Sequence, residues 1–549
     1  MHITTSSDHA GATTEHSVVL LNGDAHQPRE ILGGKGHGIN AMCRHQLPVP
    51  PAFCITTEVG RRYLADPGPT MEAIWDDVLD RMRWLEAETS RTFGRGPRPL
   101  LVSVRSGSVQ SMPGMMDTIL DLGMNDPVEQ ALATSSTSPS AQTFARDTRL
   151  RFTRRYRRVV GESAPPPADP YAQLRAGIES VFASWNSPRA VAYRAHYGMD
   201  DQSGTAVIVQ AMVFGNQGAN SGAGALFSRN PITGASEPFG EWLPGGQGDD
   251  VVSGLVDVQP ITDLRDEQPA VYDELVDAAG CLERLGSDVQ EIEFTVEDGK
   301  LWLLQTRAAE RSAQAAVRLA LQLRREGLID DTEALRRVTP AHVKTVLLPA
   351  LQPEIRLAAP LLAKGLPACP GVVSGKAYTE VDEALDAAEA GEQVILVRDH
   401  TKPEDVLGML AAQGVVTEVG GAASHAAVVS RELGRVAVVG CGQGIAASLA
   451  GKQITVDGDE GEVRQGNLTL SAWSENDTPE LRELADIARR ISPLRAHATG
   501  DHPKLDDSSD AAVRAAMDTG HTDVVSAAPL IIMMTALRLQ GSTDSRAKP

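Results

Sequence analysis

Cysteine, long apolar runs and positive charge are all scarce in this chain. Its five cysteines (Cys43, Cys54, Cys281, Cys369, Cys441) are scattered with no metal-ligand spacing, and they suit a reducing cytosol. The one apolar run near the C-terminus, Val524 to Leu537, is interrupted by Pro529. It falls short of the roughly 20 residues a bilayer needs, so it is expected to dock as a core helix. Val18 to Leu21 is the only apolar run near the start and is too short for a signal-peptide core. With 51 Lys and Arg against 72 Asp and Glu, the formal charge of -21 argues against nucleic-acid or membrane-surface binding. A Walker A loop is missing as well. The expectation is a cytoplasmic protein with no nucleic-acid and no membrane partner, and 549 residues suggest three or four domains.

What is present centres on Thr417 to Arg431. Gly414 to Thr417 reads as the end of a buried strand, Gly420 and Gly421 as a turn, and Ser424 as a helix N-cap. Ala426 to Leu433 then forms a short helix ended by Gly434. His425 falls in the first turn, where unpaired backbone N–H groups favour negative charge. A neutral imidazole there is a nucleophile, and the helix end would stabilise its phosphorylated form.

Earlier, Gly33-Gly34-Lys35-Gly36-His37-Gly38 reads as a glycine-rich loop leading into a helix. Such a loop lets backbone amides approach a phosphate while its lysine supplies charge. Leu100 to Gly107 reads as a strand ending at Arg105, followed by Ser111-Met112-Pro113-Gly114-Met115-Met116-Asp117-Thr118. In Gln290 to Val296, Ile292, Phe294 and Val296 alternate with Glu291, Glu293 and Thr295, so both glutamates share one strand face. Glu297-Asp298-Gly299 turns the chain into Lys300 to Arg307. A two-residue turn would put Gln305 on the opposite face from Glu293; a three-residue loop would put it on the same face, opposite Glu291. Residues 126–200 look helical, and the seven arginines from Arg146 to Arg158 flank an apolar stripe of Phe152, Tyr156 and Val159. That pattern reads as a solvated helix face.

Thr417, Gly420, Gly421, Ser424, His425 and Arg431 match the phosphohistidine signature T-x-x-G-G-x-x-S-H-x-x-x-x-x-R of phosphoenolpyruvate-utilising enzymes. The glycine loop, the Arg105 strand and the Met-Pro-Gly-Met-Met-Asp-Thr block resemble the nucleotide-binding half of pyruvate, phosphate dikinase, and the block separates it from phosphoenolpyruvate synthase. The resemblance implies an α/β and α+β multidomain chain: an ATP-grasp nucleotide-binding module followed by a swivelling β/α phosphohistidine domain. It implies that Lys35, Arg105, Glu293, Gln305 and Arg307 bind ATP, that Glu291, Glu293 and Gln305 hold Mg2+, and that His425 is phosphorylated. The family's matching hairpin favours the three-residue loop. The partners it implies are ATP and inorganic phosphate, and it allows a homo-oligomer.

The expected layout is a disordered leader over 1–16, the ATP-grasp domain over 17–345 with a helical insertion near 126–200, and a hinge linker over 346–364. The phosphohistidine domain follows over 365–470, then a polar segment over 471–549 with a terminal helix. A full dikinase continues into a pyruvate-binding (β/α)₈ barrel of about 250 residues, for which these last residues leave too little room. Pyruvate and phosphoenolpyruvate are therefore expected to be reached only through a missing barrel or a partner subunit. Three positions depart from the family: Glu291 where Asp is usual, Val419 where Arg is common, and Ala423 where regulated dikinases carry a phosphorylatable Thr. The alternatives are a phosphoenolpyruvate synthase-like or antibiotic phosphotransferase, and a non-catalytic nucleotide-binding regulator.

Overall fold

Thr205–Ala211, buried at every position, is the central strand of a five-stranded antiparallel sheet in the computed structural model of this protein. The structure describes residues 17–544 apart from 111, 113, 136–138, 162–164, 254–255, 348–349, 352 and 472–477, so the expected leader lies outside the described residues. The sheet runs Val18–Leu20, Ala52–Ile55, Thr205–Ala211, Val102–Ser108, Thr118–Leu122. The central strand is mostly apolar in sequence because both its faces are covered. One face meets Ile39 and Met42 of the helix Arg29–Arg44, and the other a core that includes Phe152, Ile178 and Phe182.

A second antiparallel sheet runs Gln259–Pro260, Phe239–Pro244, Gly222–Phe227, Gln290–Glu297, Lys300–Ala308. The glycine-bearing helix lies between the two sheets. A Cβ on Gly33 would sit 1.7 Å from the Gly107 carbonyl oxygen, and one on Gly38 3.0 Å from that of Thr306. The expected glycine loop is thus a kink: Gly33 (φ 69°) interrupts the helix Arg29–Arg44, and Lys35 lies in the turn just after it. Glycine supplies both the left-handed backbone and the close approach.

The histidine stretch belongs to an eight-stranded sheet whose centre, Val372–Tyr378, Val394–Arg398, Gly414–Thr417 and Val436–Val439, is parallel. The stretch 346–364 is not all linker. Leu361–Lys364 pairs with Glu462–Arg464 at this sheet's edge, and Ala350–Leu351 pairs with Leu470–Ser471.

The segment 471–549 is more folded than its acidic loop suggested. Helix Pro479–Ile491 buries Leu481, Leu484, Ala485, Ile487 and Ala488, the one-sided stripe that helical spacing produces. Strands Arg495–His497 and Asp523–Val525 pair in parallel around helix Asp510–Asp518. Helix Pro529–Asp544 then packs on helices Pro479–Ile491 and Asp510–Asp518, and Leu530 to Met534 join the core cluster that includes Leu319 and Leu323 of helix Ala313–Arg325. Of the apolar run Val524 to Leu537, expected as one core helix, Val524 and Val525 lie in strand Asp523–Val525 and the part from Pro529 is helix in the core. Among the described residues no helix is long and apolar enough to cross a membrane.

Candidate functional site

The hairpin Gln290–Glu297/Lys300–Ala308 builds one wall of the site by a route the sequence did not suggest. Its turn has two residues, Asp298 (φ 51°) and Gly299 (φ 76°), with Glu297 opposite Lys300. Left to run, that register would turn Gln305 away from Glu293. A bulge at Leu304 restores it: Glu293 pairs with Gln305 and Glu291 with Arg307. The expected three-residue loop is therefore wrong. Gln305 does share the glutamate face, but it opposes Glu293 rather than Glu291. The bulge also presents the Leu304 carbonyl, which accepts from Arg105 Nη1 at 3.4 Å.

Arg105, midway along Val102–Ser108, reaches across from the first sheet. Its Nη2 donates to Glu293 Oε2 and to Gln305 Oε1, each at 2.8 Å. Lys35 Nζ donates to the Ser106 carbonyl at 2.9 Å. Burial lowers the Lys35 ammonium to about 7, helped by Arg105 and Arg307 against the pull of Glu293. Burial would raise Glu293, but Arg105, Arg307 and Lys35 outweigh it and hold the carboxylate below its ordinary range. Arg307 grips Glu291 with Nε at 3.1 Å and Nη2 at 2.8 Å. Lys35, Arg105, Glu293, Gln305, Arg307 and Glu291 thus converge in one cleft between the two sheets. Three cations face two carboxylates there, in a chain whose overall charge is strongly negative.

The wall continues to a residue that sequence reasoning passed over. Gln305, Glu293, Ala225 and Glu241 are successive partners across four strands, so Glu241 stands on the same face. Its carboxylate accepts from the backbone N–H of Ala422 and, at 3.0 Å, of Ala423, in the loop leading to the histidine. A Cβ on Gly421 would lie 2.0 Å from Glu241 Oε1, so a side chain there would displace the carboxylate. Burial pushes Glu241 up to about 7 against the Ala423 N–H and Arg431. A carboxylate beside the buried Trp242 in an otherwise apolar strand was the signal available.

His425 opens the helix His425–Leu433, with Ser424 Oγ capping Ala427 N and Gly434 left-handed at the far end. Arg431 is buried and ties the turn back, donating to the carbonyls of Ala422 (2.7 Å) and Ala368 (3.2 Å). His425 Nδ1 lies 2.9 Å from Thr401 Oγ1. Nothing in the sequence singled out Thr401. Nε2 is buried and has no hydrogen-bond partner among the described residues. Burial lowers the imidazole to about 4 against Asp405 and Glu404, so it is neutral near pH 7. Gly114, from the Met-Pro-Gly-Met-Met block, covers the ring: a Cβ there would lie 3.0 Å from Nε2.

The sheet that carries His425 is therefore packed against the elements that carry Arg105 and Glu241. Met112, Met115, Trp185 and Tyr193 share one apolar cluster with Ala426, Ala427 and Val429, and Tyr193 donates to Glu432.

A family profile described as the pyruvate phosphate dikinase AMP/ATP-binding domain matches residues 70–273, and one described as the mobile domain of PEP-utilising enzymes matches 390–461. Pyruvate, phosphate dikinase of Clostridium symbiosum is 38% identical, over 87% of this chain and 60% of its own length. That of Rhizobium meliloti (strain 1021) is 38% identical over 85% and 59%, and the chloroplastic form 1 of Zea mays 36% over 86% and 57%. The chain spans about three fifths of the length of these relatives.

Proposed function

The chain is a pyruvate, phosphate dikinase-like protein, and from that premise we propose that it uses ATP and inorganic phosphate to phosphorylate His425. The reaction lies on the route between pyruvate and phosphoenolpyruvate. The observation that carries this reading is the convergence of Lys35, Arg105, Glu293 and Gln305 beneath a histidine loop held by Glu241.

Lys35 and Arg105, with Arg307 behind them, neutralise the ATP phosphates as charge redistributes, since phosphoryl transfer depends mainly on positioning and electrostatics. The donors on this wall are oxygens, which suits Mg2+. Glu293 and Gln305 would hold the ion; Glu291 would reach it only on release from Arg307, which takes both its oxygens. When bound, the ion would supply positive charge that offsets that of the phosphate groups.

His425 keeps its proton on Nδ1, donated to the Thr401 hydroxyl, which leaves the Nε2 lone pair free. Nε2 forms a bond to the β-phosphorus of ATP as the bond to the AMP oxygen breaks, giving pyrophospho-His425. Inorganic phosphate then takes the terminal phosphoryl as pyrophosphate, leaving phospho-His425. The Gly114 cover must withdraw for either step, and the domain swings on the 346–364 stretch. The resemblance to the dikinases makes pyruvate the acceptor of the phosphoryl group. Five free cysteines and no membrane-length helix among the described residues support a cytoplasmic setting.

The test uses ATP labelled at the β- or the γ-phosphorus, with and without phosphate. The expected result is both labels on His425 without phosphate, loss of the γ label only when phosphate is added, and no label in His425→Ala. Loss of the γ label in water alone would indicate a synthase-like enzyme. No label under any condition would indicate a nucleotide-binding regulator.

A further inference from the structure

Three side chains far from the nucleotide cleft converge near the C-terminus. Arg495 and Asp523 are register partners on the parallel strands Arg495–His497 and Asp523–Val525, and His497 lies two residues beyond Arg495. Period two therefore puts Arg495, His497 and Asp523 on one face, while Ala496 and Val524 enter the core on the other. The connection after His497 folds back over this face. Val525 N donates to the Pro503 carbonyl at 2.9 Å and Leu505 N to the Val525 carbonyl at 2.8 Å, which fixes His502 above the strands.

The His502 ring stacks on His497 with centroids 5.0 Å apart. Neither of its nitrogens hydrogen-bonds to the protein among the described residues. One ligand atom each from His497, His502 and Asp523 lies within 4.8 Å of the other two. His497 Nε2 and Asp523 Oδ1 are 2.9 Å apart.

We propose that His497, His502 and Asp523 form a zinc-class divalent metal site that staples the 498–504 connection to the two strands. Two imidazoles and a carboxylate are the donors a borderline ion such as Zn2+ takes, and three protein ligands leave one position for water. A tetrahedral ion with bonds of about 2.0–2.1 Å sets its ligand atoms a little over 3 Å apart, so only His502 has to close in. Asp523 Oδ2 is already engaged by Arg495 Nη2 at 2.6 Å and Thr522 Oγ1 at 2.9 Å, leaving Oδ1 as the single coordinating oxygen. Such outer partners orient a ligating carboxylate. On binding, the ion replaces the proton shared by His497 Nε2 and Asp523 Oδ1, and that proton passes to solvent.

The test is equilibrium dialysis of the chelator-stripped full chain against Zn2+, with metal counted per chain, and absorption spectroscopy with Co2+ in its place. His502 is exposed, so His502→Ala leaves the core intact. The expected result is one equivalent fewer of Zn2+ in His502→Ala than in the parent chain, with loss of the low-symmetry Co2+ bands. His502→Cys, whose thiolate is also a zinc ligand, should restore the equivalent. Equal stoichiometry and spectra in the parent and His502→Ala would overturn the proposal, as would a parent chain that binds no metal.

Discussion

Lys35 has its ordinary chemistry changed by its surroundings. A lysine near 7 is only half charged at neutral pH, because burial and Arg105 both oppose its proton. A polyphosphate placed against it reverses that balance and pulls the value up again. Nucleotide binding at pH 7 to 8 should therefore take up a fraction of a proton, and affinity should fall as pH rises above 7. Calorimetry in two buffers of different ionisation enthalpy reads the uptake directly. Lys35→Arg, charged at every pH used, should bind nucleotide without that uptake; an unchanged uptake would move the effect to another group.

Thr401 acts through the imidazole. Its 2.9 Å contact lets the hydroxyl accept the Nδ1 proton, the arrangement that leaves Nε2 free to attack. Removing the hydroxyl in Thr401→Val should cost about 1–1.5 kcal/mol, or roughly tenfold in the rate of His425 labelling. Thr401→Ser should keep most of that rate. The imidazole, lowered to about 4, stays neutral down to mildly acidic pH, so labelling by the parent should not lose its nucleophile between pH 6 and 8.

At the level of elements, what could be read from the sequence was whatever depends on neighbours along the chain. The alternation of Ile292, Phe294 and Val296 with Glu291 and Glu293 fixed the glutamate face, because side chains in a strand alternate strictly. Ser424 before His425 and Gly434 after Leu433 gave both ends of the histidine helix, since caps are local. The hairpin was misjudged at a point no local rule reaches. Asp298-Gly299 is a sound two-residue turn, and the compensating bulge at Leu304 exists because its carbonyl meets Arg105, a residue almost two hundred positions earlier. Helix propensity disfavours the glycine stretch, so local rules predict a loop. Packing between two sheets overrides that and tolerates helix on both sides of Gly33. Glu241 and Thr401 were missed for a related reason: each acquires its role from a partner in another element. In 471–549 the acidic connection masked an amphipathic helix and a parallel strand pair, both completed by contact with helix Pro529–Asp544.

At the scale of the whole molecule, the described arrangement is the docked one, and two carboxylates are buried by docking. Glu241, faced by the N–H groups of Ala422 and Ala423 and by Arg431 and Glu291, is pushed up to about 7 by burial. Glu432, facing Tyr193, is pushed to about 7 by burial as well. With the histidine domain swung out, both would return to water and to ordinary values near 4.5. The docked state then holds protons that the open state releases. Docking is strongest below about pH 4.5, weakens as pH rises towards 7, and levels off above it. Energy transfer between fluorophores placed on the two domains should record an opening step across that window. Glu241→Gln should shrink the step to the share carried by Glu432, and the double substitution with Glu432→Gln should flatten it. A step of full size in the double variant would mean that other groups set the domain equilibrium. Because His425 Nε2 is covered in the docked state, the same substitutions should slow its labelling wherever they hold the domain closed, which ties the carboxylates to turnover through the domain's motion alone.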